Sequence, residues 1–182
     1  MLAGPKIGLL PIRQVILVAT APPDSLDKEV TYVATMTYVN TGHPGQNDAV
    51  IRERLEFKLN DKQRTYKADW HKFVVFDETT DFIKKGTTAR AFVINAGGAE
   101  AHETWFAPRD DEHRLKLKKF TATFEDLLTG DIETLEWQIE FHGETIKDGE
   151  TSEVCTVTLS ARRIQALRDP NIGWVALNCK RE

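Results

Sequence analysis

The chain has 182 residues, 41% of them hydrophobic and 29% charged, which is the composition of an ordinary folded protein rather than a disordered one. Its formal net charge of −4, from 24 basic and 28 acidic residues, argues against nucleic acid as a partner, because such binding runs on a net basic face. No run reaches the ~18 apolar residues of a membrane span, and one domain accommodates the whole length, 1–182.

The opening "MLAGPK" reads as a domain edge, so a signal or membrane anchor ahead of it is the expectation. "LLPIRQVILVATA" is interrupted by Pro11, Arg13 and Gln14 and lacks the basic start and cleavage site of a secretion signal. It predicts a strand around Arg13 to Ala19. Val30 to Val39 is rich in Thr, Val and Tyr and predicts another. Asn40-Thr41-Gly42 ends that strand in a turn, with Gly42 expected at positive φ.

Ile51, Leu55, Phe57 and Leu59 then alternate with Arg52, Arg54, Glu56 and Lys58, a half-buried strand. Asn60 to Lys62 turns it into a strand carrying Tyr66, Ala68 and Trp70 inward. Phe73 and Val75 fall on the other parity, so a bulge near His71 is expected. Strands around Ala89 to Asn95 and His102 to Ala107 flank "NAGG", a hairpin turn using positive φ. "HRLKLKK", His113 to Lys119, predicts an exposed strand face with Leu115 and Leu117 turned inward.

"TFEDLLTG" predicts a short helix with Thr123 as N-cap and Gly130 as stop. Leu135, Trp137, Ile139 and Phe141 form the cleanest alternation, and "GETIKDGE" turns it into Cys155, Val157 and Leu159. A second short helix begins at Ser160 as N-cap, carries Ile164 and Leu167, and ends at Pro170. Residues 160–182 are therefore expected to pack onto the domain as a closing segment.

The sum is an all-β chain of about seven to nine antiparallel strands with two short helices, expected as a β-sandwich with a closed barrel as the competing arrangement. "TYVNTGHPGQND", with its Asn40-Thr41-Gly42 turn, and "FVINAGGAEAHETWFAP" from Phe92 to Pro108 resemble the immunoglobulin-like modules found outside the membrane in many bacterial proteins. The whole pattern is similar to membrane-anchored bacterial proteins with an extracytoplasmic sandwich domain. That resemblance implies an immunoglobulin-like fold and a periplasmic or cell-surface compartment, tethered in the full-length protein. It implies no activity.

The five histidines form no HExxH and stand at no zinc-site spacing from a cysteine. A metal site assembled from several strands would leave no such spacing, and none is expected. Asp69 and His71 share a strand parity, and Asp110 and Asp111 offer carboxylates without EF-hand spacing. No GxSxG, SxxK, P-loop or GxGxxG occurs, so neither catalysis nor a cofactor is expected. Of four tryptophans, Trp137 reads as core and Trp174 as packing the closing segment. Trp70 and Trp105 are the candidate ligand platform.

Cys155 alternates inward while Cys179 sits in the polar "NCKRE" tail, where a tether has most to do. A disulfide between them is expected, and with it an oxidising compartment, with two free thiols in a cytosolic protein as the alternative. The leading function is a non-enzymatic module that binds a protein partner or spaces an assembly in the bacterial envelope. The alternative is a carbohydrate- or small-ligand-binding domain.

Overall fold

The computed structural model describes residues 4–21, 26–59, 64–75 and 86–181. The turn at Asn60 to Lys62 and the side chain of Leu59 fall outside what is described. The strands, in chain order, are β1 (Ile7–Leu9), β2 (Gln14–Thr20), β3 (Glu29–Asn40), β4 (Asp48–Leu59), β5 (Arg64–Val74), β6 (Thr87–Thr88), β7 (Phe92–Ile94) and β8 (Ala99–Pro108). They continue with β9 (Thr134–Thr145), β10 (Glu150–Ser160) and β11 (Trp174–Asn178). The helices are α1 (Leu117–Thr123), α2 (Glu125–Thr129) and α3 (Ala161–Arg168).

Every strand pairing among the described residues is antiparallel, and eight strands run through one sheet in the order β10-β9-β4-β5-β8-β3-β2-β11, with β1 added to β3, β6 to β5 and β7 to β4. The chain is thus all-β, but the expected two stacked sheets are replaced by a single sheet that curls until its edges meet. Each strand carries the same inward–outward alternation in either arrangement. What differs is strand order, which local patterning does not encode.

The meeting edges are β10 and β11. The disulfide Cys155–Cys179 spans them, with the two Cα atoms 5.0 Å apart. Beside it the backbone N–H of Lys180 donates to the carbonyl of Thr156 at 2.7 Å. Further along the seam β1 leans on the β9–β10 hairpin: the Ile7 N–H donates to Asp148 Oδ2 at 2.8 Å and the Leu9 N–H to Thr151 Oγ1 at 3.0 Å. The result is a nearly closed barrel whose last gap is bridged by covalent and polar contacts.

The interior is filled by side chains of both edges and the strands between, including Leu17, Tyr32, Met36, Phe57, Phe106, Phe141 and Val157. Leu115, Phe120, Phe124 and Leu127 belong to the same core, and the rings of Phe120 and Phe124 lie 5.6 and 5.9 Å from Trp137. The helical segment therefore plugs the barrel beneath Trp137. No helix among the described residues is long and apolar enough to cross a membrane.

Several local expectations change. Leu115 is buried, but Lys116 makes only an isolated bridge to Glu29, and helix begins at Leu117. The alternating leucines mimic a strand, while Phe120 and Phe124 at helical spacing supply the buried face. Thr123 ends α1 instead of capping α2, whose N-cap is Phe124; Gly130 does stop α2, at φ 83°. Ser160 precedes α3 in extended conformation without a side-chain cap bond. Ile51 faces outward, because the pairing of β4 with β9 shifts register between Val50 and Arg52 and turns Val50 inward.

The bulge at His71 is present, between Trp70 opposite Phe106 and Lys72 opposite Trp105. Gly97 takes φ 76° in the "NAGG" turn. Gly42 is not among the positive-φ glycines, whereas Gly45 is. What position 42 lacks is room: a Cβ there would stand 2.9 Å from the Pro5 Cα and 3.0 Å from Asn40 Oδ1. Asn40 itself is buried and donates to the carbonyls of Gln46 and Ile94, so the turn is held from within by an asparagine amide.

Candidate functional site

Glu53 stands at the same parity as Leu55 and Phe57 on β4, which sends its carboxylate into the barrel. It is 0% exposed. The Tyr38 hydroxyl donates to Oε2 at 2.6 Å and the Thr104 hydroxyl donates to Oε1 at 2.7 Å. These partners come from β8 and β3, two and three strands along the sheet from β4. Gly143, opposite Glu53 in the β4–β9 pairing, makes the arrangement fit. A Cβ at 143 would stand 2.5 Å from the Tyr38 ring.

Above this acid lies a contiguous set of half-buried rings. Phe92 is 5.7 Å from Tyr38 and 4.4 Å from His102, while Phe73 stacks on His102 at 4.4 Å and meets Trp70 at 5.8 Å. Nε2 of His102 is shut from solvent without a hydrogen-bond partner. Burial lowers the His102 pKa below the ordinary imidazole value, with the Glu100 charge opposing it.

Burial pushes the Glu53 carboxyl up to about 7, against the pull of the Tyr38 and Thr104 hydrogen bonds. Tyr38 is pushed far above the ordinary phenol range by burial and by Glu53. Both Glu53 oxygens are engaged within the fold, and the side chain has no exposure.

A pH dependence follows. The folded pKa lies above the ordinary value of 4.5, so folding takes up a proton between those values. The associated stability is full below 4.5 and is lost as pH rises through about 7. A gap of that size corresponds to on the order of 3 kcal/mol. Urea unfolding of wild type and Glu53→Gln at about pH 5 and about pH 8 should show the wild type losing that amount relative to the variant. Parallel pH profiles would mean that Glu53 is ionised throughout.

Trp70 packs against the main core, whereas Trp105 joins a second cluster of Ile16, Val18, Val33 and Val74, with Trp174 beside it. The two rings of the candidate platform are therefore not brought together, and the bulge at His71 lies between them in the β5–β8 pairing. Asp69 turns to Arg52 and Arg109, at 3.1 and 3.3 Å, while His71 meets the Trp105 ring at 4.9 Å. Asp110 accepts from the His113 N–H, and Asp111 pairs with Arg114. Cys155 and Cys179 are brought together as expected.

Among the described residues two groups could hold a metal ion: Glu56, Glu140 and His142 on β4 and β9, and Asp110, Glu112 and His113, of which the two acids are exposed and the histidine half-buried. Sequence reasoning passed over both Glu53 and His142. Glu53 carried a readable signal, a charged side chain at the inward parity of a strand; His142 carried none, because its neighbours come from other strands. No protein-family model matches the chain, and no curated protein matches it.

Proposed function

We propose that this domain is a non-enzymatic module of the bacterial envelope, outside the cytoplasm, that binds a protein partner or spaces an assembly. The observation that carries the reading is the Cys155–Cys179 disulfide across the barrel seam, since such bonds persist in oxidising compartments. Kinship to extracytoplasmic immunoglobulin-like modules belongs to the same reading and rests on the Asn40-Thr41-Gly42 turn and the Phe92 to Pro108 stretch, not on the single curled sheet.

Support for protein contact comes from an apolar row on the outer surface. Val93 pairs with Ala49 across β7 and β4, and the Ile146 N–H donates to the Ala49 carbonyl. Val93 is 58% exposed, Ile146 65% and Ile51, on the same strand, 38%. Large apolar side chains grouped on a surface mark contact sites more often than single ones do. A photo-crosslinking residue at Val93 in cells should give one discrete adduct with an envelope protein, lost when Ile146→Lys is added. Labelling no stronger than that of a control position on the outer face of β10 would count against the reading.

The ring set of Trp70, Phe73, Phe92 and His102 favours a second reading, a carbohydrate- or small-ligand-binding domain. Tryptophan fluorescence titrated with a glycan panel tests it. A saturable change abolished by Trp70→Phe supports that reading, and a flat response across the panel removes it.

A further inference from the structure

Residues 54 and 56 on β4 and 140 and 142 on β9 carry the outward parity of their strands. The antiparallel register sets Glu56 opposite Glu140 and Arg54 opposite His142. Like charges directly opposite one another destabilise a sheet, so the Glu56–Glu140 pair calls for a cation. Its flanking charges are Arg54, whose Nε is 3.5 Å from Glu56 Oε1, and Lys67, whose Nζ is 3.9 Å from the same oxygen. Both approach Oε1. The other oxygen, Oε2, faces His142 Nε2 at 4.0 Å, and Glu140 Oε1 lies 3.4 Å from that nitrogen.

His142 is only 6% exposed. Neither ring nitrogen makes a hydrogen bond of good geometry, although Nδ1 lies 2.9 Å from Glu150 Oε1. This buried imidazole has carboxylates on both sides, Glu150 at Nδ1 and Glu140 with Glu56 toward Nε2, and its nitrogens meet them without hydrogen-bond geometry. Glu150 is itself clamped by Arg54, at 2.8 and 3.2 Å.

We propose that Glu56, Glu140 and His142 form a site for a divalent transition ion of the zinc class, with Glu150 orienting the imidazole. The three ligand atoms lie within 4.8 Å of one another. Ligands at zinc bond lengths of about 2.0–2.2 Å stand roughly 3.3 Å apart in a tetrahedron, close to the His142–Glu140 separation, and a small inward move of Glu56 completes the triangle. Imidazole with carboxylates suits zinc and its neighbours better than calcium or magnesium, which prefer oxygen alone. A carboxylate on the far ring nitrogen is the usual outer partner of a metal-bound histidine. The Glu140 side chain is 48% exposed, which leaves the fourth position to water. The site does not depend on the identity of the domain's partner.

The test is calorimetric titration of the chelator-treated full chain with zinc chloride, and separately with calcium chloride. Wild type should bind a single zinc ion and prefer it to calcium. Glu140→Gln, an exposed change that leaves the core alone, should weaken zinc binding at least about ten-fold, and Glu150→Gln by roughly 10–100-fold. His142→Gln should abolish binding while retaining a cooperative thermal transition. Glu112→Gln, in the second group of candidate ligands, should change nothing. Absence of saturable zinc binding, equal binding of calcium, or wild-type affinity in Glu140→Gln would each overturn the proposal.

Discussion

Replacing Trp137 by alanine is expected to cost about 3–5 kcal/mol of stability, the range for removing a large buried aromatic side chain. The ring sits where the barrel meets its helical plug. Phe57 lies 5.4 Å away within the sheet, and Phe120 and Phe124 lie 5.6 and 5.9 Å away on the helical side. Its indole N–H donates to the Lys58 carbonyl at 3.2 Å. Truncation therefore opens a cavity between the sheet and the helical segment and removes the indole hydrogen bond to the Lys58 carbonyl. Urea unfolding measures the loss. A cost under about 1 kcal/mol, the scale of a surface change, would detach the plug from the account.

Cys155→Ser with Cys179→Ser should cost roughly 3 kcal/mol, in the chain-entropy account of a loop of this length. For a domain of this size that is a fall of about 6–12 °C in melting temperature by calorimetry. The structure adds a local expectation. Because the bond spans β10 and β11, hydrogen exchange in the variant should rise in those strands and stay protected in β3 and β8, which are paired on both sides. Uniformly faster exchange would mean that the bond stabilises the chain without defining the seam. With the seam open, β10 becomes a long edge strand, the form most prone to pairing with another chain.

Local periodicity made most strands readable. The alternation of Trp137, Ile139 and Phe141 matches their burial, and the parity break after Trp70 located a bulge at His71. The same rule failed at Ile51, where an apolar residue at the outward position hid the register shift beside Val50. It failed again at Leu117, where leucines two residues apart imitate a strand just before a helix. Gly42 was singled out on the wrong ground: it avoids Pro5 and Asn40 while Gly45 adopts the positive φ.

Closure of the sheet was not readable, because it rests on strand order. β11 was missed altogether, since "WVALN" follows a helix and a turn and is too short to show a period. The sites divide in the same way. Glu53 was legible from its parity, but the company of Glu56, Glu140 and His142 exists only across paired strands.

Whether the Cys155–Cys179 disulfide closes the barrel is read by intact mass after alkylation. Protein exported to such a compartment is denatured with alkylating reagent and no reductant, then weighed, and a second aliquot is reduced first. The account predicts no added alkyl group in the first sample and one on each of Cys155 and Cys179 in the second. Both cysteines alkylated without reductant would contradict it, leaving the seam to hydrogen bonds and the envelope placement without its main support.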